Sequence, residues 1–245
     1  AALISTEELA RRMDAPALRL FDCTTYLRPR PEGGYNVESG RANYDKGHIP
    51  GAAYLDLQAD LSDKTSPLRF TLPSLEELTR AFAAKGVGHG TFVVLYSDAS
   101  PVWASRIWWM LRVLGFDAAA VLDGGLAKWR AEGRPLSTEP SRYPATTFVP
   151  QLRPGLFVDK RHVQDTLGSA GVCLVNALSA DEHAGRVSRT PRPGRIPGSG
   201  NVPAGSLVDP ATGAYLPLAE LREKFRAAGA LDGCRVVTYC GGGIA

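Results

Sequence analysis

Short unbroken apolar runs along this chain alternate with longer stretches in which apolar residues recur every three or four positions. Leu18–Asp22 (LRLFD) and Phe92–Tyr96 (FVVLY) are runs of the first kind and predict buried strands. STEELARR opens with Ser5 and has Glu8 three positions on; SLEELTRAFAAKG repeats the device with Ser74 and Glu77. That is capping-box spacing, and it predicts two helix starts. Gly86 is placed to end the second helix. SRIWWMLRVLG predicts a third, too apolar all round for a surface element and therefore buried. AAVL then predicts a strand and DGG a turn. Strands alternating with helices predict an α/β fold with a mainly parallel sheet.

The second half repeats the first. GHIPGA (47–52) returns as GRIPGS (194–199), LFD at Leu20 as LVN at Leu174, and FVVLYS (92–97) as RVVTYC (235–240). The offsets, 147, 154 and 143, agree within loop insertions. A period that long means two copies of a domain rather than a solenoid. Between the copies, Pro135, Pro140, Pro144, Pro150 and Pro154 mark a stiff connection unfit for helix or central strand. The expected organisation is a first domain over 1–139, a Pro-rich linker over 140–155 and a second domain over 156–245.

Composition narrows the function. Hydrophobic residues at 44% and charged residues at 22% describe a soluble globular protein. No apolar run approaches the ~18 residues that cross a bilayer, and no charged-then-apolar leader is present, so no membrane partner is expected. A net charge of +3 argues against nucleic acid. Cys23, Cys173, Cys234 and Cys240 form no CxxC pair and have no histidine at metal spacing. No disulfide framework is expected, and a reducing, cytoplasmic setting is.

The chemistry concentrates where RVVTYC meets GGGIA. The slot after the same strand holds Ser97 in the first copy and Cys240 in the second. Open parallel sheets bind ligands at the C-terminal ends of their strands, which is where Cys240 falls. Gly241, Gly242 and Gly243 let successive backbone N–H groups converge, and such a nest holds an anion. A helix starting just beyond would add its dipole. Both effects favour thiolate over thiol. Standing alone, Cys-Gly-Gly reads as an inert thiol beside a turn; the duplicated context makes it a nucleophile in a backbone cradle.

The paired GHIPGA and GRIPGS, the RIWWMLRVLG helix, VLDGGLAKW, and a Cys loop in the second copy alone resemble the tandem-domain rhodanese family of thiosulfate and 3-mercaptopyruvate sulfurtransferases. The resemblance spans nearly the whole chain. It implies two rhodanese-like domains, each a mainly parallel sheet flanked by helices, with the first silent because Ser97 fills the nucleophile slot. It implies double displacement: Cys240 takes the outer sulfur of a small anionic donor as a persulfide, then passes it to a thiophilic acceptor such as cyanide, a thiol or a protein thiol. No metal or organic cofactor is required. The donor is expected against Gly241, Gly242, Gly243, Ile244 and Ala245.

HAGRVSRTPRPGRIPG supplies Arg186, Arg189, Arg192 and Arg195. A planar guanidinium suits carboxylate or sulfonate-like oxygens. Arg186 and Arg192 match the positions of the family's two substrate-binding arginines; each of the four also has a plain reading as a solvated loop residue. The Cys loop lacks the basic residues of thiosulfate enzymes. It also lacks two hydroxyls of the mercaptopyruvate pattern Cys-Gly-Ser-Gly-Val-Thr, with Gly242 in place of the Ser and Ala245 in place of the Thr. Both donors stay open.

Two rivals remain. Phosphatases on this fold use Cys-x5-Arg, whose arginine would be residue 246. A non-catalytic persulfide carrier or sensor is the other. The tryptophans at 103, 108, 109 and 129 read as core and interface filling, His48 as a structural hydrogen-bonder, Gly124 and Gly125 as a turn, and Cys23, Cys173 and Cys234 as packing residues. By the spacing after Ser97, the native product is expected to continue about 30–40 residues past Ala245.

Overall fold

The computed structural model describes every residue except 32–33, 99 and 189–191. Among the described residues the strands are β1 (Leu3–Ile4), β2 (Leu18–Asp22), β3 (Thr25–Pro29), β4 (Tyr35–Ser39), β5 (Ala53–Tyr54), β6 (Phe92–Tyr96), β7 (Ala119–Leu122), β8 (Val172–Asn176), β9 (Gly200–Asn201) and β10 (Arg235–Tyr239). Five form a parallel sheet in the order β1-β7-β6-β2-β5, and three a second parallel sheet, β10-β8-β9. β3 and β4 make a separate antiparallel hairpin.

Side chains on a strand alternate faces, so a fully apolar strand needs cover on both. β6 shows this. Val93 and Leu95 join one core cluster with Trp103, Ile107 and Leu111 of the helix Val102–Val113, while Val94 and Tyr96 join another with Leu126 and Trp129 of the helix Gly125–Ala131. The second sheet has a small core, chiefly Val175, Val202 and Ala230. It repeats the β6-β2-β5 part of the first sheet in the same order.

The repeat extends to single hydrogen bonds. Tyr96 Oη accepts from the Ile49 amide at 3.2 Å, and Tyr239 Oη from the Ile196 amide at 3.0 Å. Tyr96 ends β6 and Tyr239 ends β10, the equivalent strand, and each isoleucine belongs to an Ile-Pro-Gly motif. The duplicated motif is thus a fastener between a strand end and the Ile-Pro-Gly loop that comes more than 40 positions earlier in the chain.

The Pro-rich segment has no regular structure and is pinned along the first half. Thr146 N donates to Ala83 O at 2.9 Å, Gln151 N to Leu114 O at 2.9 Å, and Arg153 N to Val113 O at 2.8 Å. Tyr143 Oη accepts from Leu20 N and donates to Gly51 O.

Two local expectations change. Ser74 and Glu77 form the full capping box at the helix Leu75–Ala84, and Gly86 follows its end with φ +83°. Ser5 caps the helix Thr6–Arg11 alone, because Glu8 turns to Arg12 one helical turn on. Cys173 and Cys234 are not separate packing residues: they are joined in a disulfide, with Cα atoms 5.7 Å apart. β8 and β10 pair in parallel with Cys173 opposite Val236, which brings the residue just before β10 beside β8. The partners lie 61 positions apart, out of reach of any local pattern. Cys23 is fully buried, as a packing residue should be.

Candidate active site

Cys240 follows β10 directly, at the C-terminal end of the second parallel sheet. The amides of Gly242 and Ile244 both point at its sulfur, at 3.4 and 3.3 Å. This is the convergence of N–H groups that favours an anionic sulfur. Of the three glycines, only Gly243 has a left-handed backbone, φ +68°. A Cβ on Gly241 would meet nothing within 4 Å, and one on Gly242 only ordinary contacts. Gly243 therefore gives the loop its turn, whereas Gly241 and Gly242 leave room beside the sulfur.

The loop rests on the first half of the chain. Ile244 packs against the core cluster that holds Phe70 and Trp103. The Phe70 ring lies 3.7 Å from where a Cβ of Gly242 would stand, and stacks obliquely on Trp103 with centroids 5.5 Å apart. Arg106, from the helix Val102–Val113, donates from Nη1 to Gly243 O at 3.0 Å and from Nη2 to Phe70 O at 3.3 Å. Its guanidinium lies 4.3 Å over the Phe157 ring. Burial pulls it down to about 10, with the nearby Cys240 sulfur acting in the opposite direction. Trp109, the exposed member of the four tryptophans, bridges the halves through Nε1 to Leu156 O at 2.8 Å. Arg106 and Phe70 are absent from the sequence-based expectations. The available signal was an arginine inside a helix that reads as buried all round.

A cleft of about 730 Å³ opens at Cys240, lined by Tyr35, Phe70 and Trp103 of the first half and by Glu182, Val187 and Ser188 of the second. Gly241, Gly242, Ile244 and Ala245 line it, and Gly243 lines the neighbouring cleft. Arg186 is not brought to the sulfur. Its guanidinium is exposed and bound to Asp181, with Nε at 2.9 Å and Nη2 at 2.5 Å from the same carboxylate oxygen. Arg192 is exposed. Arg195 donates to His183 O at 3.2 Å, and Arg189 lies outside the described residues.

The equivalent loop of the first half is engaged differently. Asp98 N donates to Thr24 Oγ1 at 2.9 Å, and the Asp98 carboxylate is held by Arg130 at 2.8 Å. Ser97 O accepts from Leu126 N at 3.2 Å, and a Cβ on Gly125 would stand 2.3 Å from that oxygen. Gly124 and Gly125 both have positive φ, so they form a turn closed against this loop. His48 stacks on Tyr44 and bonds to Tyr44 O and Glu139 O, a structural part. Among the described residues no group of His, Cys, Asp and Glu side chains could hold a metal, and no helix is long and apolar enough to cross a membrane.

A family model for the rhodanese-like domain matches residues 5–132. A Pseudomonas aeruginosa protein named "Probable 3-mercaptopyruvate sulfurtransferase" is 35% identical, over 100% of this chain and 85% of its own length. Human 3-mercaptopyruvate sulfurtransferase is 34% identical and rat thiosulfate sulfurtransferase 32%, each over 82% of this chain and 69% of the relative. The crystal structure of the Escherichia coli 3-mercaptopyruvate sulfotransferase superposes with a TM-score of 0.85 at 28% identity, covering 100% of this chain and 90% of that one. With its duplicated parallel sheets and a cysteine cradle in the second copy, the chain belongs to the rhodanese-like family.

Proposed function

We propose that this protein is a sulfurtransferase that works through a Cys240 persulfide, with residues 1–139 as a silent unit and 156–245 as the catalytic one. The observation that carries the reading is the pair of amides aimed at the Cys240 sulfur. They stabilise negative charge on sulfur, first as thiolate and then as persulfide. With 3-mercaptopyruvate, the Cys240 thiolate attacks the donor sulfur, the S–S bond forms and the C–S bond breaks. The C–S electron pair stays on carbon, which takes the donor's thiol proton to give pyruvate. With thiosulfate the same attack expels sulfite. A thiophilic acceptor, cyanide or a thiol, then takes the outer sulfur and returns the thiolate.

Of the two donors, 3-mercaptopyruvate fits better. The loop offers backbone dipoles and no basic side chain, so a dianion meets less compensation for its lost hydration than a single carboxylate does. Two of the relatives named above carry the mercaptopyruvate name. Arg186 and Arg192 are the proposed anchors for the donor's anionic end. The reading requires Arg186 to exchange Asp181 for the donor, and its neighbours Val187 and Ser188 already line the cleft.

The test is a donor screen that follows pyruvate and sulfite release separately, with Cys240→Ser in parallel. Pyruvate release, lost in Cys240→Ser, supports the proposal. Turnover of neither donor by the wild type would sink it. A cytoplasmic setting belongs to the same proposal, and the Cys173–Cys234 bridge weighs against it, since structural disulfides persist in oxidising compartments. Trapping thiols with an alkylating reagent before lysis, then measuring intact mass, decides that point.

A further inference from the structure

We infer that Arg106, a residue of the silent unit, is a positioning residue for sulfur transfer: it fixes the peptide between Gly243 and Ile244 so that the Ile244 N–H faces the Cys240 sulfur. The inference rests on the sulfurtransferase reading and adds a role that the first copy of the fold plays in the second copy's chemistry.

The argument starts from the peptide plane. In a trans peptide the C=O and the following N–H point in opposite directions. The Gly243 carbonyl is drawn to Arg106 Nη1 at 3.0 Å, and the Ile244 amide, on the far side of the same plane, lies 3.3 Å from Cys240 Sγ. The clamp and the cradle are two ends of one rigid unit. That plane turns about ψ of Gly243 and φ of Ile244, and glycine, with no Cβ, tolerates the ψ of either orientation. Gly243, at φ +68°, therefore does not fix the orientation by itself. Were the plane to turn over, a carbonyl oxygen would face the sulfur where an N–H now stands, and the cradle would repel the anion that it has to hold.

Arg106 is placed at a cost that a purely structural residue would not justify. The residue is only 6% exposed, and its Nε has no hydrogen-bond partner. Both acceptors it does have are neutral carbonyls, and among the described residues no carboxylate pairs with it. Burying a cation without a counter-anion is unfavourable, and the Phe157 ring offsets only part of that. The unneutralised charge sits beside Cys240, where the chemistry develops a negative sulfur. Phe70 supplies the second carbonyl from a left-handed backbone at φ 60°, the only positive φ outside glycine among the described residues. A bulky residue held there carries strain, and strain of this kind gathers at functional sites.

The experiment compares Arg106→Met, which removes charge and donors at similar volume, with Arg106→Lys, which keeps the charge and a single donor nitrogen. Three quantities are read: kcat and KM for 3-mercaptopyruvate, the rate of Cys240 alkylation by iodoacetamide at neutral pH without donor, and the melting temperature. Removing a charge-assisted hydrogen bond predicts a loss on the order of 10- to 100-fold in kcat for Arg106→Met, with slower alkylation and KM changed less than about threefold. The melting temperature should hold or rise, since an apolar side chain replaces an unpaired buried charge. Arg106→Lys should recover most of the lost rate. Full kcat and normal alkylation in Arg106→Met would overturn the inference. So would a loss of activity that follows a fall in melting temperature and is not restored by lysine. The alkylation arm needs no donor, so it tests the inference even if the wild type turns over neither sulfur compound.

Discussion

Arg106 and Gly243 are 137 positions apart in the chain and 3.0 Å apart in the fold, donor to acceptor. Through that contact the cysteine loop of the second copy is built on a helix of the first. Ile244 in the first copy's core and the Phe70 ring against Gly242 complete the seat. A loop of three glycines has little side-chain matter with which to hold itself. Its shape is imposed from across the interface.

Gly243→Ala should separate loop geometry from overall stability. An L-residue at φ +68° costs about 1–2 kcal/mol, and the added Cβ has only Arg106 Nη1 nearby, at 3.9 Å, so the penalty is conformational. The loop can relieve it by turning the Gly242–Gly243 peptide and re-routing the chain through residue 243, which displaces the Ile244 amide from the sulfur. We expect kcat to fall roughly tenfold or more while the melting temperature moves by a few degrees. Gly168→Ala, at φ +77° and remote from the site, carries the same backbone penalty and should leave kcat unchanged. Equal kcat in both variants would show that the left-handed turn has no part in turnover.

Arg186→Ala should raise KM for 3-mercaptopyruvate and lower kcat/KM on the order of ten- to a hundredfold, the effect of losing a charge-assisted hydrogen bond. Asp181→Asn frees Arg186 from its present partner and should lower KM. Steady-state kinetics of the two variants decide. If both leave KM where it was, the arginine belongs to the solvated loop.

Reduction of the Cys173–Cys234 bridge should destabilise the second sheet without touching the nucleophile. Opening a 61-residue loop costs about 4 kcal/mol in the chain-entropy account. The five residues of β10 separate Cys234 from Cys240 by six residue steps, roughly 20 Å, too far for exchange between them. Calorimetry with and without a phosphine reductant should show a lowered transition. Persulfide formation, measured below that transition in a Cys173→Ser/Cys234→Ser variant with no phosphine present to strip the outer sulfur, should be unchanged. A persulfide that disappears on breaking the bridge would contradict this separation.

The first unit carries a pH-dependent term at Asp22. Burial pushes its carboxyl from 3.8 up to about 6; the Thr24 hydroxyl and amide oppose this, and Asp98 adds to it. Between about 4 and 6 the native state keeps a proton that the unfolded chain has released, so stability is greatest below that window and falls as pH rises through it. A shift of about two units corresponds to roughly 3 kcal/mol. Asp22→Asn keeps an oxygen for Thr24 and does not titrate. In urea unfolding it should be more stable than wild type at pH 7.5, with that advantage much reduced at pH 4. An advantage of the same size at both values would remove Asp22 from the account.

Much of this architecture is legible in the chain because the fold repeats short, chemically specific pieces. Ile-Pro-Gly and the strand-end tyrosine recur, and their shared Tyr–Ile bond explains why those residues mark the repeat. The cradle is legible too, since a glycine run after a strand has few other uses. Local spacing fails where a side chain has two partners within reach: Glu8 sits at capping-box distance from Ser5, yet lies one turn from Arg12. It fails altogether for contacts set by tertiary neighbours, such as Cys173 with Cys234 and Arg106 with Gly243. Arg186 falls between these cases, because a motif gives its place in the chain but not the direction of its guanidinium.

The loop at Ser97 has a consequence for stoichiometry. Its Asp98 amide is already bound to Thr24, its carboxylate to Arg130, and its carbonyl edge is closed by Gly125 and Leu126. A cysteine placed at 97 would lack at least one cradle amide, because Pro101 stands four positions on, as Ile244 does from Cys240, and carries no N–H; the silence proposed for the first copy would then lie in its backbone as well as in its missing sulfur. On the proposed reading, two copies of one fold therefore amount to a single carrier. Each chain should then load one sulfur equivalent, and adding a second thiol should not raise that number unless the loop around it is rebuilt.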